Sequence, residues 1–160
     1  MGVERFALLA ADERAAVTGH LVALDKGSRV LRFGTTASDG TIAQYVAAID
    51  FERDIVVGCW DDDTLVGVAH LAVYPKGGQP VGELGISILL ESRRLHMGQQ
   101  LLERALLFAR LRRLKEVYVQ FLVRNRPMAG LAGKFTRHVD RSAGEALAII
   151  DMCEHAQVAA

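Results

Sequence analysis

Apolar residues that recur every three or four positions predict two helices in the first part of the chain. The first covers residues 8–24, with Gly27 as a reasonable stop. The second follows Ser38 and Asp39, which offer an N-cap to the sequence GTIAQYVAAIDF. The stretch RVLRFG between them (29–34) is compatible with a helix or a strand.

The pattern then changes to runs rich in branched apolar residues, which are typical of strands. Turn sequences, DDDT and PKGGQP, separate three such runs, so an antiparallel meander is predicted. The runs are DIVVGCW (54–60), LVGVAHLAVY (65–74) and VGELGISILL (81–90).

A helical period returns in the second half of the chain. It predicts a long helix from about Leu95 to Arg112, followed by a strand over KEVYVQFLV (115–123). Pro127 suits the first turn of a short helix that runs to about Lys134. Two closing strands are predicted at RHVD and at EALAIIDM (145–152).

Composition and charge narrow the class of protein. A chain of 160 residues with 51% hydrophobic and 24% charged residues suits a single globular domain over 1–160. Nineteen basic residues balance nineteen acidic ones, which argues against nucleic acid or an anionic membrane as a partner. No apolar stretch is long enough for a membrane span, and the two cysteines match no metal or disulfide spacing. We therefore expect a cytoplasmic protein without a metal.

The junction between the strand at 81–90 and the long helix predicts an anion site. The first N–H groups of a helix are unpaired and carry partial positive charge, so they bind phosphate well. Gly98 permits close approach to the backbone there, and Arg93 and Arg94 can add charged hydrogen bonds. A phosphorylated ligand is therefore expected at this junction.

The sequence RRLHMGQQLLERAL at this junction resembles the acetyl-CoA signature of the GNAT superfamily of N-acetyltransferases, Gln/Arg-x-x-Gly-x-Gly/Ala. Arg93, His96 and Gly98 occupy the three signature places. A second stretch, FLVRNRPMAGLAGKF, is similar to the family's next conserved block and places its asparagine at Asn125. The resemblance implies a mixed α/β fold. Its central sheet would be mostly antiparallel, with six or seven strands splayed between strands four and five and flanked by about four helices.

The resemblance also implies where acetyl-CoA binds. The pantetheine arm would lie along the edge of strand four at Ile88, with Asn125 bonding the arm or a water. The pyrophosphate would lie beside Arg93 and against the backbone of the residues that begin the helix. Those residues are Arg94, Leu95, His96, Met97, Gly98 and Gln99.

The implied reaction is transfer of an acetyl group to a primary amine by direct attack in a ternary complex. Such an attack needs a base for the amine and a donor for the oxyanion. Glu83, in the middle of strand four, is the candidate base. The sequence departs from the family at His96, where the signature has glycine, and at Ala132, where a tyrosine acid is common.

Other interpretations stay open. Glu83 could face solvent or pair with Lys76, and His70 and Tyr74 could line an acceptor pocket, although a structural role is favoured for both. The protein could be a non-catalytic acyl-CoA-binding or regulatory module, or a phosphate binder on an unrelated sheet. The identity of the amine is not predicted. A homodimer is possible through exposed strand edges.

Overall fold

The computed structural model describes residues 4–93 and 96–153. Within them, seven strands form one sheet in the order β1-β2-β3-β4-β5-β7-β6. Neighbouring strands are antiparallel except β4 and β5, which are parallel. The strands are β1 (Glu4–Leu8), β2 (Ile55–Asp61), β3 (Thr64–Lys76), β4 (Gln79–Ile88), β5 (Glu116–Leu122), β6 (Val139–Ser142) and β7 (Glu145–Asp151).

Five α-helices accompany the sheet in the described part of the chain. They are α1 (Arg14–Val22), α2 (Lys26–Phe33), α3 (Asp39–Ala47), α4 (Met97–Leu111) and α5 (Arg126–Ala132), with short 3₁₀ helices at Ala11–Glu13 and Leu90–Ser92. The expected mixed α/β fold with a mostly antiparallel sheet is therefore confirmed. None of the described helices is long and apolar enough to cross a membrane.

Side-chain caps explain where three of these helices begin. Asp25, Ser38 and Asn125 each accept a hydrogen bond from a backbone N–H in the first turn, of α2, α3 and α5 respectively. Gly34 ends α2 with a φ of 79°, a left-handed conformation that glycine adopts without strain. The cap predicted at Ser38 is confirmed.

The start of the chain differs from the sequence prediction. The helix predicted over 8–24 begins only at Arg14, because the residues up to Leu8 pair with β2 as an edge strand. The helix also ends at Val22, and the cap at Asp25 starts a new helix that includes Gly27 and the ambiguous stretch 29–34. Strand β1 has no counterpart in the prediction.

Side chains of β4 point alternately to opposite faces of the sheet, which separates the helices into two layers. Ser87 contacts α1 through His20, and Gly85 contacts α2 through Arg32. Gly98 of α4 lies against Ile88, whose side chain points to the other face. The buried apolar residues on the two faces of the sheet form one connected cluster. Its largest fully buried side chains include Leu21, Ile42, Ile55, Leu71, Leu101 and Leu102.

Strands β4 and β5 separate after a short stretch of pairing. Their ladder covers only Val81 to Glu83 on β4, whereas β4 stays paired with β3 as far as Ile88. The edge of β4 that faces β5 is therefore open beyond Glu83. This separation confirms the expected splay and creates the opening in which the candidate site lies.

Candidate active site

Two adjoining cavities occupy the opening between β4 and β5. One has a volume of about 430 Å³ and includes Tyr45 in its wall; the other, of about 660 Å³, includes Gly98. We refer to them as the Tyr45 cavity and the Gly98 cavity. Both are lined by Leu31, Arg32, Ile86, Asn125 and Met128. Because these residues are shared, a ligand in one cavity can reach a ligand in the other at this junction.

The Gly98 cavity lies at the N-terminal end of α4. His96 precedes the helix with a φ of 72°, and its exposed imidazole lines the cavity together with Gly98. Lys134 also lines this cavity and donates a hydrogen bond of 2.7 Å to Gln99 Oε1. Four basic side chains (Arg93, His96, Arg126 and Lys134) surround the positive end of the helix. This arrangement suits the phosphates of an elongated ligand.

Arg93 ties the end of β4 to helix α2. Its Nε donates to the carbonyl of Ile88 over 3.3 Å, and its Nη2 donates to Ser28 Oγ over 2.8 Å. The Ser28 hydroxyl in turn donates to Asp25, and this hydrogen bond is the main cause that lowers the pKa of the Asp25 carboxyl. The guanidinium is therefore held at the wall of the cavity beside the open strand edge.

The Tyr45 cavity contains charges of both signs. Glu83 and Glu145 contribute carboxylates, and Gln120 donates to Glu145 Oε2 over 3.0 Å. Arg32 contributes a guanidinium that forms no ion pair with any carboxylate of the described residues, and it donates instead to the hydroxyl of Tyr45 over 2.7 Å. The cavity can therefore attract a cationic group while keeping one cation at its junction with the Gly98 cavity.

A chain of hydrogen bonds leads from Tyr45 into the protein. The Tyr45 hydroxyl contacts His70 Nδ1, and His70 Nε2 lies 2.9 Å from Asp54 Oδ2. The side chains of His70 and Asp54 are 7% and 2% exposed, so both are shielded from water. Asp54 Oδ1 also accepts from Arg53 Nε and from the backbone N–H of Val73.

Burial and hydrogen bonding set the charge states in this chain. Burial raises the pKa of Asp54, but the hydrogen bonds from Arg53, His70 and Val73 outweigh it, so the pKa is lowered overall. Burial, together with the cations of Arg32 and Arg53, lowers the pKa of His70 more than the neighbouring Asp54 raises it. At neutral pH the pair is therefore a carboxylate and a neutral imidazole.

A match of the amino-acid sequence to a family model identifies the family of this chain. Residues 21–135 match the family model described as acetyltransferase (GNAT) family, which covers more than half of the chain. This chain belongs to the GNAT acetyltransferase family. A search of curated protein sequences finds no match.

Solved structures of GNAT proteins share the fold at low sequence identity. The GNAT domain of S. lividans PAT superposes with a TM-score of 0.77 at 16% identity, covering 94% of this chain and 91% of that one. A GNAT family acetyltransferase from Streptococcus pneumoniae has a TM-score of 0.70 at 13% identity, with coverages of 92% and 97%. Salmonella typhimurium yncA, solved with its cofactor acetyl-CoA, has a TM-score of 0.69 at 12% identity, with 94% of both chains covered.

The GNAT signature residues predicted for the cofactor come together in the Gly98 cavity. Its lining includes Ile88, Arg93, His96, Gly98, Gln99 and Asn125. Met97 is 1% exposed, packs in the core and is not part of the lining of either cavity. Arg94 and Leu95 lie outside the described residues. Glu83, the predicted base, lines the other cavity.

Sequence reasoning did not find Arg32, Tyr45 or Asp54 as site residues. Tyr45 lies in the predicted helix GTIAQYVAAIDF and Asp54 begins the predicted strand DIVVGCW, so neither position indicates a site. His70 was noted as a possible pocket residue, and it does line the Tyr45 cavity, whereas Tyr74 lies outside both linings. Ala132, at the position where a tyrosine acid is common in the family, is buried at 0% exposure.

Proposed function

We propose that this protein is one acetyltransferase domain that transfers the acetyl group of acetyl-CoA to a primary amine by direct attack in a ternary complex. The observation that carries this proposal is the meeting of two chemically different cavities at Arg32 and Ile86, where β4 leaves β5. One cavity suits an elongated phosphorylated donor and the other a cationic acceptor. Their junction is where a thioester and an amine would react.

The cofactor half of the proposal rests on the Gly98 cavity. The pyrophosphate would lie near Arg93, His96 and Gly98 at the start of α4. It would accept hydrogen bonds from the backbone N–H groups of residues 94–99. The pantetheine arm would add to the open edge of β4 near Ile88, as a peptide adds to a sheet edge. Asn125 lines both cavities and would contact the arm near its reactive end.

The acceptor half rests on the Tyr45 cavity. The carboxylates of Glu83 and Glu145 would attract a protonated amine. Glu83, which the sequence predicts as the base, lines this cavity. A backbone N–H of β4 near Ile86 would stabilise the oxyanion that develops on the thioester carbonyl.

Calorimetry tests the cofactor site first. Acetyl-CoA, free CoA and ATP are titrated into the wild-type protein, a Gly98→Trp variant and a Gly19→Trp control. A Cβ at Gly98 would lie 3.5 Å from Leu131 and 3.6 Å from Ile88, so an indole grows from there into the cavity. Gly19 is exposed on α1 with nothing within 4 Å. We expect acetyl-CoA binding that Gly98→Trp loses and Gly19→Trp keeps.

A thiol-release assay with a panel of primary amines then tests turnover. Acetylated amine and free CoA in equal amounts would support the transferase. Binding of acetyl-CoA without turnover on any amine would favour the alternative, a non-catalytic acyl-CoA-binding module. The buried Ala132, at the position where a tyrosine acid is common in the family, is consistent with that alternative. Absence of binding by both CoA species would overturn the proposal.

A further inference from the structure

We propose that Tyr45, His70 and Asp54 form a proton relay in which the Tyr45 hydroxyl, rather than Glu83, takes the proton of the acceptor amine. The inference rests on the proposed function and deepens it, because it assigns the base of the same reaction. In this assignment Tyr45 is a catalytic residue, whereas His70 and Asp54 act through it. Glu83 then serves to attract the cationic acceptor.

The direction of each hydrogen bond follows from its partners. An ionised carboxylate only accepts, so the proton between Asp54 and His70 is on Nε2. Neutral His70 then has a free lone pair on Nδ1, which accepts from the Tyr45 hydroxyl. The Tyr45 oxygen also accepts from Arg32 Nη2 over 2.7 Å. A phenol oxygen has two lone pairs, so one remains for an N–H group in the cavity.

Three elements fix the position of the relay. Tyr45 comes from α3, and its ring packs edge-on against His70 of β3 and Phe33 of α2, with centroids 5.5 Å apart in both contacts. Asp54 directly precedes β2, and Arg112 holds the chain beside it by donating to the carbonyl of Arg53 over 2.7 Å. A hydroxyl held this rigidly is better suited to proton transfer than a mobile side chain.

Burial and the cations of Arg32 and Arg53 keep His70 neutral by lowering its pKa, whereas Asp54 raises the pKa. Asp54 and Arg53 face it from the start of β2, and Arg32 faces it from α2. The cation of Arg32 also contacts the Tyr45 oxygen and stabilises negative charge that develops there during transfer. Asp54 stabilises the imidazolium that results.

Glu83 lacks such a chain of partners. Its side chain is exposed on β4, and none of the described residues forms a hydrogen bond with its carboxylate. It lies on the same face of the sheet as His70 and Gly85, so it is well placed to hold a cation at the cavity. The Tyr45 hydroxyl accepts from Arg32, which lines both cavities, so this hydroxyl lies beside their junction.

The atoms of the transfer balance without another reactant. The ammonium of the acceptor gives one proton to the Tyr45 oxygen as the Tyr45 proton passes to His70 Nδ1. The amine nitrogen then bonds to the thioester carbon, and the carbon–sulfur bond breaks as the tetrahedral intermediate collapses. The second nitrogen proton goes to the departing CoA thiolate. His70 then returns its proton to the Tyr45 oxygen, which releases one proton to solvent through the cavity. The products are an acetylated amine, CoA and one proton.

Kinetics of matched variants test the assignment. We expect Tyr45→Phe to lower kcat by about a hundredfold or more, the scale of general-base catalysis, while the Kd of acetyl-CoA changes less than about twofold. Glu83→Gln should raise the KM of a cationic acceptor more than it lowers kcat. The control is Tyr74→Phe, which removes a hydroxyl from the exposed end of β3, outside both cavities, and should keep wild-type kcat.

A kcat of Tyr45→Phe within about threefold of wild type would overturn the relay, because the phenol would then lie off the proton path. So would a larger loss of kcat in Glu83→Gln than in Tyr45→Phe. A wild-type protein that binds acetyl-CoA but acetylates no amine would instead refute the proposed function, and the relay would be withdrawn with it.

Nitrogen NMR of His70 tests the relay independently of any acceptor. The relay requires the proton on Nε2 and an unprotonated Nδ1 at neutral pH. In Asp54→Asn the amide can donate to Nε2 and reverse the tautomer, so the Nδ1 signal should shift to that of a protonated nitrogen. A protonated Nδ1 in the wild-type protein would overturn the relay even if the enzyme is active.

Discussion

The guanidinium of Arg32 lies directly over Gly85, so that a methyl group on Gly85 would come within 2.2 Å of Arg32 Cζ. The absence of a side chain on β4 therefore makes room for the cation that joins the two cavities. We expect Gly85→Ala to displace Arg32 and to lower kcat/KM for acetyl transfer about tenfold or more, since one charged hydrogen bond to Tyr45 is lost. Steady-state kinetics with the acceptor found in the amine panel measures this.

Stability should change little in Gly85→Ala, because the displaced atoms are the end of a flexible side chain. Gly82→Ala provides the contrast on the opposite face of the same strand, where the methyl group would come within 2.5 Å of Leu71 Cδ1 in the core. Overpacking there should lower the free energy of unfolding by about 1–3 kcal/mol. Urea unfolding of both variants tests the pair, and equal destabilisation would contradict the distinction.

Asn125 combines a structural contact with a place in both cavities. Its side chain accepts from the N–H of Met128 over 3.2 Å and caps α5. Asn125→Asp should keep the cap but weaken acetyl-CoA binding, because it adds a negative charge beside the proposed arm. Asn125→Ala should lose about 1 kcal/mol of stability. Thermal unfolding and calorimetry separate the two effects, and unchanged affinity in Asn125→Asp would exclude contact with the cofactor.

The elements with strong local signals were predicted well. Strands β2, β3 and β4 all lie within two residues of their expected bounds, and the end of β3 and the start of β4 extend into the turn between them. Strand β1 was not predicted because the residues ERFAL are equally compatible with the start of a helix. Its pairing with β2 joins distant residues, such as Glu4 and Asp61, which are 57 positions apart (61 − 4), and such pairing leaves no local pattern.

The sequence predicts the signature residues that line the Gly98 cavity, and it points to Glu83 and His70 in the Tyr45 cavity, but it does not point to Arg32 or Tyr45. Arg93, His96 and Gly98 are close in sequence and follow a recognisable signature. Tyr45 of α3 and His70 of β3 are 25 positions apart and meet only in the folded chain, and each has an ordinary local explanation as a partly or fully buried residue. A relay assembled from three elements becomes visible once the register of the sheet is known.

The Lys134→Gln variant tests whether the Gly98 cavity binds phosphates. It is exposed at the end of α5 and donates to Gln99 Oε1 over 2.7 Å. We expect Lys134→Gln to weaken acetyl-CoA binding about threefold to tenfold through loss of one charged contact. Binding of acetylated pantetheine, which lacks the pyrophosphate, should be unaffected. Calorimetry with both ligands measures this, and an equal loss for both would point to the arm instead.

His20 makes the stability of the fold depend on pH. It is 3% exposed, donates from Nδ1 to the carbonyl of Leu65 over 2.9 Å and accepts at Nε2 from the hydroxyl of Ser87 over 2.8 Å. Burial lowers its pKa from 6.5 to about 4. Between these two pH values the unfolded chain binds a proton that the folded chain does not, so stability falls as the pH falls.

The free energy of unfolding should therefore be insensitive to His20 above about pH 7 and should lose about 3 kcal/mol through this group by pH 4. A His20→Gln variant should lose that part of the pH dependence and keep any part due to His70, whose pKa is also lowered by burial. Urea unfolding at pH 7.5, 6 and 5 measures both slopes. Parallel slopes in the two proteins would mean that His20 takes up its proton in the folded state near its ordinary pKa, because Ser87 can turn its hydroxyl to accept from a protonated Nε2.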